Sequence, residues 1–160
     1  MRKGMMLAAM TAAVGISAFA SAEDVQLPDK AAAVIKERFA KAKISEVEKE
    51  KEDGQEVFEV ELTQGKRAIE VCITAEGRVL EVERSLNAKK LPEALAKGLE
   101  AKYPGATISE ACVVRKKKVT TYEVELTTKD KKEVEAVFDA DGKFVEEEKE
   151  DDDKDDEKDD

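Results

Sequence analysis

The sequence predicts an α+β protein of two tandem units, each one helix followed by a four-stranded antiparallel sheet. The two sheets are expected to share one eight-stranded sheet, with both helices on one face. Three observations predict this. Residues 27–63 align on 91–127 without a gap, with 12 identities in 37 positions; ordinary composition gives about two, at roughly 6% per position. Apolar and charged residues then alternate with period two in matched segments. A helical stripe of apolar residues precedes those segments in both copies.

The elements follow in order. Arg2 and Lys3, an apolar run from Met5 to Phe19, and Ala20-Ser21-Ala22 form the pattern of an export signal over 1–22. The run is about 15 residues, short for a membrane span; an uncleaved anchor is the alternative. Residues 23–26 lead into the first unit, 27–84. Pro28 suits an opening helical turn, and Asp29 favours its positive end. Ala31, Val34, Ile35, Phe39 and Ala42 form the stripe. First strands are expected over Ile44–Lys51 and Thr107–Val114. Phe58, Val60 and Leu62 point one way and Glu59 and Glu61 the other, and Ile69–Ile73 alternates likewise. Asp53-Gly54, Glu76-Gly77 and Asp141-Gly142 mark turns. Val79–Glu83 and Phe144–Glu147 are last strands, whose facing the adjacent pairs Val79-Leu80 and Phe144-Val145 leave open. Residues 85–90 form a linker. The second unit, 91–148, repeats the stripe as Leu95, Gly98, Leu99 and Tyr103, and Pro104-Gly105 stops its helix. Its strands carry Tyr122, Val124 and Leu126, then Val134, Ala136 and Phe138.

Composition narrows the function. The chain has 160 residues, no His and no Trp. Lack of His removes imidazole-based triads, His-ligated metals and imidazole pH switching. Nothing pairs a nucleophile with a base or forms a phosphate loop, so no enzyme is expected. Net charge is −10, and residues 146–160 hold twelve acids and three lysines. Such a segment has nothing apolar to bury and is expected to be a disordered tail. A net acidic protein is a poor nucleic-acid partner, because that affinity comes from neutralising phosphates. After cleavage no stable membrane insertion is expected, and the location is periplasmic or secreted.

The blocks Leu91-Pro92-Glu93-Ala94-Leu95, Lys102-Tyr103-Pro104-Gly105-Ala106, Tyr122-Glu123-Val124-Glu125-Leu126 and Phe138-Asp139-Ala140-Asp141-Gly142-Lys143 resemble the PepSY-like, β-lactamase-inhibitor-like family. The resemblance covers about 27–148. The first unit departs from it, with Ala40-Lys41 in place of Pro-Gly and Ala75-Glu76-Gly77-Arg78 at the turn. The resemblance implies an α+β fold, a periplasmic location, and binding of a protein or peptidase, inhibition included. It brings no catalytic residue.

Candidate sites are few. Glu59, Glu61, Glu70, Glu123, Glu125 and Glu135 fall on the polar face of the sheet, which suits a basic protein or peptide; an ordinary solvated face is the alternative. Cys72 and Cys112 are the two cysteines. Outside the cytoplasm they suggest a disulfide, with two separate thiols as the alternative. Their spacing fits neither a redox motif nor a zinc site. Asp139-Ala140-Asp141-Gly142 with Glu148 resembles part of a calcium loop, but Val137 falls on the first ligand position, and a hairpin turn explains it better. Arg115–Lys118 form a basic turn able to meet an anionic partner or the tail. The function expected is non-catalytic binding of a protein or peptide, with no cofactor and no specific metal site. The other reading is Ca²⁺ buffering or sensing by the acidic tail and face.

Overall fold

A computed structural model describes residues 25–52 and 54–149. The expected signal segment and the tail beyond Lys149 lie outside them. The order is α1 (Asp29–Arg38), β1 (Lys43–Glu52), β2 (Gln55–Gln64), β3 (Arg67–Thr74), β4 (Val79–Ser85), α2 (Glu93–Lys102), β5 (Thr107–Lys116), β6 (Val119–Thr127), β7 (Glu133–Asp139) and β8 (Phe144–Lys149). The eight strands form one sheet in sequence order, each antiparallel to its neighbour.

Both helices begin just after proline. Pro28 and Pro92 have extended backbone, and their carbonyls accept from the Ala32 and Ala96 amides at 2.8 and 2.9 Å. An N-terminal proline loses nothing here, because the first amides of a helix have no intrahelical acceptor. Ala31, Ile35 and Phe39 pack on Phe58, Val60, Leu62, Ile69, Val71, Ile73 and Val82. Leu95 and Leu99 pack on Ala111, Val124, Leu126, Val134, Ala136 and Phe138. In the inner strands β2, β3, β6 and β7 the period-two alternation therefore sends one side into an apolar cluster and the other into a charged face.

The register settles the last strands. Cys72 pairs with Glu81 and Ile73 with Val79, so Leu80 is the extra residue of a bulge. Val137 pairs with Glu146 and Phe138 with Phe144, so Val145 is extra in the same way. A bulge puts one more residue on one strand, which is why two apolar residues stand together in each. β4 runs on through Ser85, and β8 runs to Lys149, two residues past the expected last strand Phe144–Glu147 and into the expected tail. β5 likewise continues through Lys116, which leaves Lys117 and Lys118 as the hairpin turn, with Lys117 at φ 56°. Further bulges fall between Ile44 and Glu46 and between Ile108 and Glu110.

Candidate functional site

The charged face is built from cross-strand rows. Glu46, Glu61, Glu70 and Glu83 stand side by side across β1–β4. Glu110, Glu125 and Glu135 do the same across β5–β7. Between these rows β4 meets β5, and Ser85, Cys112 and Glu123 share a line. Like charges directly opposite each other on a sheet repel. The face is therefore electrostatically loaded by its register alone.

It is also hollow. A cavity of about 350 Å³ opens at the join of the two halves, with Glu70, Glu83, Cys112, Glu123, Glu125 and Glu135 in its lining. Leu86 and Ala88, from the segment after β4, add an apolar wall, and Lys66 is a cation at its rim. Four of the six expected residues thus come together there. Glu59 and Glu61 are on the same face but outside the cavity, and Glu59 is buried. The expectation of an open, solvated face is corrected: the other five are half-buried. Glu83 and Glu110 were missed by sequence reasoning. The Leu80 bulge hid the facing of Glu83, and the Ser109 bulge that of Glu110.

The electrostatics follow from this crowding. Burial first, then the Glu83, Glu59, Glu61 and Glu81 carboxylates, push Glu70 up to about 8. Burial, then Glu46 and Glu48, raise Glu61. Burial, then Glu83, push the Cys112 thiol well above its ordinary value. It stays protonated at neutral pH and is a poor nucleophile. Lys116 is the exception to the pattern of like charges. Its ammonium lies 2.9 Å from Glu81 and 3.3 Å from Glu52, and its hydrogen bond to Glu81 leads the factors that raise its pKa.

The disulfide expectation is corrected. Cys72 and Cys112 form no disulfide. Both are on the charged face, but Cys72 aligns with Glu81 and Cys112 with Ser85, four residues along β4. Two strand spacings and four residues separate them, roughly 10 Å by 13 Å. A disulfide needs Cα atoms within about 7 Å. The Cys72 thiol instead donates to Glu52 at 3.8 Å. Two groups of donors are close enough to share a cation, Glu83–Cys112–Glu123 and Glu48–Glu50–Glu59. The calcium-like Asp139–Gly142 segment is a hairpin turn: Asp139 accepts from the Asp141 and Lys143 amides at 2.9 Å.

A single antiparallel meander of eight strands, packed with two short helices and hollowed on a carboxylate face, defines a class of small α+β modules. Solved structures share the fold. A protein from Bacteroides eggerthii, named as periplasmic, aligns with a TM-score of 0.65 at 9% identity, over 78% of this chain and 90% of its own. A BLIP-like protein from Bacteroides fragilis aligns with a TM-score of 0.62 at 18% identity, over 78% and 88%. A DUF2874 family protein from Bacteroides ovatus gives 0.64 at 12%, over 78% and 89%. No curated protein matches the sequence. Residues 56–146 match the family described as beta-lactamase-inhibitor-like, PepSY-like, and the chain belongs to that family. Residues 27–83 also match the peptidase propeptide and YPEB domain. The expected location, periplasmic or secreted, agrees with the name of the Bacteroides eggerthii protein. Among the described residues no helix is long and apolar enough to cross a membrane.

Proposed function

We propose that the protein is a non-catalytic binding module of the cell envelope. Its carboxylate hollow takes a protein or peptide that presents basic side chains. One observation carries this reading: six carboxylates, Glu110 among them, converge from both halves on one cavity of about 350 Å³ beside an apolar wall. A concave site with a few convergent polar groups is the usual form of a binding site. A cationic group placed there relieves the repulsion that adds to burial in raising Glu70. The family's inhibitor-like and propeptide-like members support a protein or peptidase as partner. Glu59 and Glu61 extend the same acidic face beyond the hollow. The lack of His in the chain supports a non-catalytic role.

The reading includes the origin of the site. The matched order of elements, the bulges 64 or 65 residues apart, and the family match over 27–83 support a duplication of one unit, with 27–84 and 91–148 as the copies. Register supports both helices on one face. Val82 aligns with Arg115, and Arg115, Val113 and Ala111 alternate onto the side that carries the second cluster. The hollow then belongs to the join and to neither copy alone.

The test is capture from envelope extract by the full chain and by a Glu70→Gln, Glu83→Gln, Glu123→Gln variant, followed by calorimetry with each captured protein. A partner that binds the wild type and loses affinity for the variant supports the reading. Equal affinity for both overturns the hollow as the site. A second reading, cation buffering, is favoured by the Glu48–Glu50–Glu59 cluster, whose oxygens suit a hard ion such as Ca²⁺. It predicts Ca²⁺ uptake that falls with Glu48→Gln and with removal of residues 150–160.

A further inference from the structure

The opposite face of the sheet carries charge of the other sign. Val82 closes the first apolar cluster and Ala111 opens the second. Between them, Arg84 pairs across the strands with Val113, and Val82 with Arg115. Arg84 is half-buried, and its guanidinium carbon lies 5.6 Å from the centroid of the Phe39 ring. Burial, then Arg115, Arg38 and Arg67, lower its pKa below the ordinary arginine value. Among the described residues, none of these four guanidinium groups pairs with a carboxylate. Three like charges around a half-buried fourth repel it, and an anionic occupant offsets that repulsion.

We propose that this arginine seam is the docking site of the chain's own acidic segment, residues 150–160. Charge is the first argument: the segment holds nine acids and two lysines. Reach is the second. β8 ends at Lys149, opposite Val134. That is the end of the sheet where β3 begins with Arg67 and where α1 finishes with Arg38. Five strand spacings separate β8 from β3, roughly 24 Å. Eleven extended residues span at most about 36 Å. The path first meets Lys131 and Lys132 in the β6–β7 turn, so the charge along it is attractive from the start. Tethering is the third argument. A short flexible tether holds its end at millimolar effective concentration, so the attached segment outcompetes a free acidic peptide of the same chemistry.

The test places a nitroxide label on Asp156→Cys, in the full chain carrying Cys72→Ser and Cys112→Ser, and reads backbone amide intensities by NMR. The expected result is loss of the Arg67, Arg84 and Val113 amide signals. They return at 1 M salt, where charges are screened beyond about 3 Å, and in the chain that also carries Arg84→Gln and Arg115→Gln. Unchanged seam amides overturn the proposal. So do losses confined to the β6–β7 turn, or losses that grow with protein concentration, which assign the segment to another copy. Should the cysteine-free chain fail to fold, the guanidinium signal of Arg84 is compared between the unlabelled full chain and a chain ending at Lys149. A shift on truncation supports docking, and an unmoved signal overturns it.

Discussion

The first and second halves solve one packing problem with different pieces. In the first, Gly77 in the β3–β4 turn faces α1, and a Cβ built on it would lie 3.0 Å from both the Lys30 carbonyl oxygen and Val34 Cγ2. In the second, Gly142 faces α2, where Gly98 replaces valine. A Cβ on Gly98 would collide with the Gly142 carbonyl oxygen. α2 therefore comes closer to its turn than any side chain permits. The bulk removed there returns nearby: Ala31 and Ile73 in the first half correspond to Leu95 and Phe138 in the second. The difference teaches that one order of elements accepts different distributions of bulk between helix, turn and strand, as core substitutions that keep the apolar pattern do generally.

Four predictions test that comparison. The largest effect is expected from Phe138→Ala, about 3–5 kcal/mol in urea unfolding. Its counterpart Ile73→Val is expected to cost about 1 kcal/mol. Equal costs would break the idea that bulk is concentrated differently in the two halves. Next is Gly98→Val, which imports the first half's residue and forces α2 from its turn, at about 3 kcal/mol. Combined with Leu95→Ala, it is expected to cost less than the two single changes summed, since the pair restores the first half's partition. Strict additivity would show that the two positions do not share volume.

Smaller is Tyr103→Phe. The Tyr103 hydroxyl donates to Glu147 at 2.6 Å, and burial followed by that carboxylate raises its pKa. The change gives α2 the residue that α1 already has in Phe39, and about 1 kcal/mol is expected to be lost. The smallest effect, after screening by the water around a half-exposed side chain, is the pH slope from Glu70. Its folded value near 8 lies above the unfolded value near 4.5, so the folded chain holds a proton that the unfolded chain releases between them. Stability from this group is full below about 4.5 and falls as pH rises towards 8. Glu70→Gln is expected to flatten the denaturation midpoint over that window. The matched change Glu135→Gln shows whether the second row of carboxylates carries the same load. An unflattened slope in Glu70→Gln would remove Glu70 as the source.

Much of the fold was legible because each level of the sequence agreed with the next. The Ala31–Ile35–Phe39 stripe, the Phe58–Val60–Leu62 alternation and the turn glycines named the first helix, the paired strands and their connections. What was not legible lay where period two breaks. Leu80 and Val145 read as breaks in alternation, and only register shows them to be bulge residues. With Leu80 unassigned, Glu83 had no face, and the hollow had no centre. The cysteines failed for a related reason: count and compartment suggested a bond, while distance along the strands forbids it. Charge on the sheet was visible from composition and alternation, but its concavity was not, because curvature belongs to the assembled strands.

The sheet reaches eight strands where the edge of one half, β4, meets the edge of the other, β5. Nothing in backbone hydrogen bonding stops such joining at one step; the same chemistry, continued through the outer strands, builds filaments. β1 bears Glu46, Glu48, Glu50 and Glu52 among Lys49 and Lys51, and it is exposed along nearly its whole length. β8 brings Glu146 and Glu147 to the other margin. A copy approaching either margin meets a row of like charge and must desolvate it, which is how natural sheets discourage polymerisation. The sheet that joins β4 to β5 at its centre thus carries charge at both outer strands.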